Sequence, residues 1–126
     1  MVYESSEQLE EACWWWQHEL RIGDWDIRPE LVRGYDLGDK LANVDIHLEG
    51  NRATLKLVEW GDITPEVKAD EGFADMEQSL VHELLHVMFK PFEGKVPDES
   101  LEHEYLEQSI NKLAYALVKL KRRGSP

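Results

Sequence analysis

Nothing constrains the fold of this chain more than the run Leu80-Val81-His82-Glu83-Leu84-Leu85-His86-Val87-Met88-Phe89. It has no Gly or Pro, and every residue other than the two His and the Glu is apolar. The run therefore predicts a helix apolar almost all round, which belongs in a core. His82 and His86 are four apart and share one helix face, with Cβ atoms about 5–6 Å apart. Two imidazole nitrogens can then meet on one cation. Glu83 sits about 100° round the axis, where it can reach a water on that cation but is badly placed to be a ligand. A chance placement of these three on a solvated face does not suit so apolar a helix. Burying them without partners would cost several kcal/mol of desolvation, which a bound metal and an ordered water would remove.

The chain has 126 residues, enough for one domain with one modest core, expected over about residues 6–121 of 1–126. With 42% apolar and 32% charged residues it reads as globular, and its net charge of −12 repels phosphate backbones, so nucleic acid is not expected as a partner. The basic run at 119–123 falls at the end of the last expected helix, where it complements the helix dipole. Cys13, the one cysteine, reads as a small core residue and permits no internal disulfide. The N-terminus is acidic, without a charged-then-apolar leader, and no apolar run reaches the roughly 18–20 residues of a membrane span. A cytoplasmic protein without membrane association is expected.

Ser5 and Ser6 ahead of Glu7 and Gln8 predict a helix start, and Leu9, Ala12, Cys13, Trp16 and Leu20 follow helical spacing. The first helix is expected over 6–20, ended by Gly23. Trp14 and Trp15 fall off its apolar stripe, so at least one of the three adjacent Trp must cover a neighbouring element or face solvent. Alternation at 25–28 predicts a strand broken by Pro29, with strand ends and loop over 31–40. Residues 42–58 predict a β-hairpin with Gly50-Asn51 in its turn, Val44, Ile46 and Leu48 facing in, and His47 facing solvent. After a polar connection over 61–72, the apolar helix is expected from Phe73 or Asp75 to Lys90, stopped by Pro91. Asp98 or Ser100 caps a last helix over 101–121, with Leu106, Ile110, Leu113, Leu117 and Leu120 as its buried stripe.

A hydrolytic metal site wants three protein ligands and one open position. The last helix offers His103, Glu104 and Glu107. Measured from Ile110 at 100° per residue, His103 lies about 20° from the buried face, Glu107 about 60° and Glu104 about 120°. Glu104 points away from the core. Helix phase leaves His103 and Glu107 both open.

His82-Glu83-Leu84-Leu85-His86, followed about twenty residues later by Glu107-Gln108-Ser109-Ile110-Asn111-Lys112-Leu113-Ala114, resembles a compact gluzincin. The spacing of Glu107, Ile110, Asn111, Leu113 and Ala114 is similar to the glutamate helix of the ImmA/IrrE group, and the order of elements to small zincins of phages and mobile elements. The resemblance spans about residues 41–120. It implies an α+β fold, a single zincin-like domain. This would have an N-terminal helix, a small three- to four-stranded, mainly antiparallel twisted sheet, an active-site helix and a C-terminal glutamate helix. It also implies Zn²⁺ on His82, His86 and Glu107, with Glu83 as general base. Asn111 takes the position where many gluzincins carry an Asp supporting a zinc-binding His. His103, one turn before Glu107, would face a tetrahedral intermediate. SprT-like metalloproteins share the order of elements but take a third His, a role His103 would fill. In such zincins an edge strand ahead of the active helix pairs with extended substrate, and 53–58 is the candidate strand here.

The expected function is therefore that of a zinc metallopeptidase, acting on a protein or peptide substrate. A chain this short leaves little wall for a substrate cleft, which leaves room for an activating partner beside a monomer or weak oligomer. The alternative is a metal-containing binding or regulatory module, whose ion would be closed in by four protein ligands.

Overall fold

The computed structural model describes residues 1–69 and 75–124. Its elements are α1 (Ser6–Glu19), β1 (Asp26–Val32), β2 (Ala42–His47), β3 (Arg52–Val58), the single turn α2 (Pro65–Lys68), α3 (Met76–Glu93) and α4 (Leu101–Arg123). Ser5 caps α1 by accepting the Gln8 N–H at 3.2 Å, while the Gln8 side chain accepts the Glu4 N–H at 2.7 Å. The helix ends sooner than expected. Leu20 is its C-cap and Arg21, at φ 62°, takes the left-handed position assigned above to Gly23. Of the three Trp, Trp16 is buried, Trp14 is exposed, and Trp15 lies beneath the Lys121 ammonium, 4.8 Å from its ring centre.

The sheet has three strands in the order β1-β3-β2. β2 and β3 form the expected hairpin, with Gly50 (φ 78°) and Asn51 (φ 48°) supplying its left-handed residues. β1 instead pairs with β3 in parallel, so the sheet is mixed rather than mainly antiparallel. The chain crosses from β1 to the far edge, and the hairpin returns β3 into the gap. Pro29 does not break β1; it stands in register with Leu55. An edge strand, paired on one side only, tolerates a residue without an N–H. Ala53, Leu55 and Leu57 of β3 enter the core, and Val44 and Ile46 of β2 pack against it. Leu48, expected to face in, is exposed because the strand has ended at His47; His47 faces solvent as expected.

Asp75 caps α3 by accepting the N–H groups of Glu77 and Gln78, and Ser100 caps α4 by accepting that of His103. The alternative start at Phe73 lies outside the described residues. Leu80, Val81, Leu84, Leu85 and Val87 are all buried, so α3 is the central core helix, touching the sheet, α1 and α4. It runs past Pro91 to Glu93. The proline removes one intrahelical hydrogen bond, but it falls in the last turn, where Gly94 N–H still closes on the Lys90 carbonyl at 3.1 Å. α4 runs antiparallel to α3. Its buried residues are Ile110, Ala114 and Val118, spaced by four, whereas Leu113 and Leu120 of the expected stripe face solvent. Ala114 has little side chain to hold α4 off α3.

The basic end of α4 does more than complement a dipole. The Glu77 carboxylate is 1% exposed and meets three donors: Trp16 Nε1–H at 3.1 Å, Arg122 at 3.3 Å and the Lys121 ammonium. Arg122 also pairs with Asp75 at 2.7 Å. Three helices thus converge on the start of α3. Among the described residues, no helix is long and apolar enough to cross a membrane.

Candidate metal centre

Three helix positions bring the donors together. His82 and His86 lie one turn apart on α3, and their Nε2 atoms stand 3.1 Å apart. Antiparallel α4 carries Glu107 to them: one carboxylate oxygen is 3.3 Å from His86 Nε2, the other 3.9 Å from His82 Nε2. Donors on a tetrahedral ion with bonds of roughly 2.0–2.1 Å stand about 3.3–3.4 Å apart. The two nitrogens and the nearer Glu107 oxygen approach that spacing on the His86 side, the other oxygen lies wider of His82, and the three side chains are close enough to share an ion. Among the described residues they form the one group of three His, Cys, Asp or Glu side chains close enough to share an ion.

The electrostatics favour ligands over charged side chains. Burial, and then His86, push the His82 pKa below its usual range, while Glu107 and then Asn111, as an acceptor, act against this. A neutral imidazole keeps the lone pair a metal needs. Glu83 is 9% exposed and, among the described residues, has neither hydrogen bond nor ion pair. Burial pushes its pKa up to about 7, with His86 opposing and Glu107 reinforcing the shift.

Two adjoining cavities, of about 330 and 340 Å³, share Lys40, Ala42, His82 and Glu83 as walls. Together they make a groove between α3 and the β2 edge. The second also reaches Val44, Ile46, Lys90 and Glu107. The strand beside the site is thus β2, not 53–58. β3 is paired on both sides, by β1 and β2, and has no free edge to offer a peptide. A larger cavity, about 690 Å³, lies elsewhere, among Met1, Trp60, Tyr115 and Arg122, and none of the motif's His or Glu residues lines it.

Of the residues singled out by sequence, His82, Glu83, His86 and Glu107 converge, and Asn111 lines the adjoining cavity with His82 and Glu83. His103 stands in the first turn of α4, with its N–H on the Ser100 cap, and is not one of the three donors. Glu104 is exposed. One residue escaped the sequence reading. Glu93 places Oε1 2.5 Å from His86 Nδ1, and both side chains are largely buried. Its signal is the seven-residue spacing from His86, which returns to the same helix face. Reading Pro91 as the end of the helix hid it. No protein-family model, curated protein or solved structure matches the chain.

Proposed function

We propose that this protein is a zinc-dependent metallopeptidase. The observation that carries the reading is the convergence of His82, His86 and Glu107, with donor atoms 3.1–3.9 Å apart, beside a buried Glu83 that opens on the same groove. A zinc ion held there supplies Lewis acidity toward the scissile carbonyl and an acidified water. Glu83 takes the proton of the attacking water and passes it to the leaving nitrogen. Its buried, unpaired carboxylate suits that exchange, since no fixed partner competes for the proton. The β2 edge holds an extended substrate by main-chain hydrogen bonds, with Val44 and Ile46 along the wall. Asn111 shares the first cavity with His82 and Glu83.

The alternative, a binding module around a closed ion, needs a fourth protein donor. Among the described residues the cluster offers three. The test is cleavage of a peptide library by the purified chain, read by mass spectrometry after zinc loading, after chelation and after zinc is restored. Cleavage that appears with zinc, stops on chelation and returns is the expected result. Cleavage indifferent to the metal contradicts the proposal, and a loaded but inert chain with four protein donors on its ion supports the alternative.

A further inference from the structure

We infer that Glu93 is the positioning residue of the metal centre: its carboxylate fixes the tautomer and ring orientation of His86, so that Nε2 is the nitrogen offered to the ion. This rests on the metal-binding reading of His82, His86 and Glu107.

The geometry comes from the helix itself. Glu93 lies seven residues beyond His86, about 10.5 Å along the axis and about 20° off its direction. Helix side chains lean toward the N-terminus, so Glu93 reaches back along the roughly two turns that separate it from His86. Its Oε1 meets His86 Nδ1 at 2.5 Å, while His86 Nε2 faces His82 Nε2 at 3.1 Å and Glu107 at 3.3 Å. Both ring nitrogens thus face a carboxylate, but Nε2 alone lies inside the donor cluster, beside His82. With an ion shared by Nε2 and Glu107, the lone pair belongs on Nε2, and a Glu93 carboxylate that accepts then takes the hydrogen on Nδ1. A charge-assisted bond of this kind also makes the distal nitrogen a better donor to a cation. The Glu93 side chain is 14% exposed, so water competes weakly for it. The arrangement exists because α3 continues through Pro91. A helix ending at Lys90 would leave residue 93 in a loop with no fixed direction toward His86.

The experiment compares wild type, Glu93→Gln and Glu93→Ala as full chains. Zinc affinity is measured by competition with a chromogenic chelator. The His86 tautomer is read from long-range proton–nitrogen NMR spectra of the zinc-loaded, nitrogen-15-labelled protein. Glu93→Ala is expected to bind zinc about 10–100-fold more weakly, with Glu93→Gln between it and wild type. In the spectra, the wild-type His86 Nδ1 proton is expected to be protected and shifted far downfield, and to be lost to exchange in Glu93→Ala. If Glu93→Ala does not fold, the near-isosteric Glu93→Gln carries the comparison. Wild-type affinity with an unchanged Nδ1 signal in the variants overturns the inference, as does X-ray absorption showing that Glu93→Ala removes an oxygen directly bonded to zinc. Failure of the wild-type chain to bind zinc would defeat the underlying metal reading. Tight wild-type binding indifferent to residue 93 would defeat only the role given to Glu93.

Discussion

Replacing Glu83 with Gln is expected to lower peptide hydrolysis by about 10²–10⁴-fold while leaving one zinc bound per chain. The substitution keeps the side chain's shape but removes its ability to take a proton. Glu83 is not among the three clustered donors, so the substitution leaves the proposed ligand set whole. The fold should also tolerate it. Burial already disfavours the charged form, pushing the Glu83 pKa up to about 7, so a neutral amide removes a desolvation cost rather than adding one. Steady-state kinetics on a cleavable library peptide, paired with metal analysis of the same preparation, decide the matter. An undiminished rate would remove Glu83 from the mechanism. A variant that loses zinc would place Glu83 among the ligands.

The largest stability effect is expected far from the metal, where α4 ends against the start of α3. Replacing Lys121 and Arg122 together with Ala leaves the 1% exposed Glu77 carboxylate with Trp16 Nε1–H as its remaining donor among those described above. Stripping partners from a buried charge costs about 3–5 kcal/mol, and the partial exposure of both basic side chains brings the expectation to about 2–4 kcal/mol. Adding Glu77→Gln to that background should recover part of the loss, because a neutral amide is cheaper to leave buried. Acid should act in the same direction. Burial alone would raise the Asp75 pKa, but the Arg122 hydrogen bond and the Gln78 N–H outweigh it and hold it below its ordinary value. A folded-state value below the unfolded one means the contribution is complete above pH ~4 and is lost as pH falls through the folded value. Urea midpoints at pH 7 and pH 3 test both statements: the double variant should be weaker at pH 7 and should lose less on acidification. Equal stability of the variant and wild type at pH 7 would mean that the helix junction does not depend on this network.

The helix carrying His82, Glu83 and His86 was legible in the sequence because composition, spacing and uninterrupted apolar character all favoured one structure. The third donor was not legible by phase. His103 and Glu107 both fall near the buried side, and what separates them is how far along α4 the antiparallel α3 meets it. That distance depends on the turn over 94–100 and on the small Ala114, neither of which a helical wheel contains. The stripe through Leu113 and Leu120 failed for a related reason: large residues suggested a face, but the close approach of α4 selected the four-residue spacing of Ile110, Ala114 and Val118. Strand order was hidden because nothing local in 53–58 tells a central strand from an edge strand once β1 can join in parallel. Glu93 was hidden by a rule applied too early: a proline in the last turn removes one hydrogen bond but need not stop the chain from completing that turn.

The proposed function needs one divalent ion shared by α3 and α4, and zinc K-edge X-ray absorption of the loaded wild-type chain tests this most directly. The expected spectrum has two imidazole nitrogens at about 2.0–2.1 Å and two oxygens at about 2.0–2.2 Å, one from Glu107 and one from solvent, with the carboxylate contribution lost in Glu107→Ala. A spectrum without imidazole, or a chain that takes up no zinc at stoichiometric concentration, would contradict it.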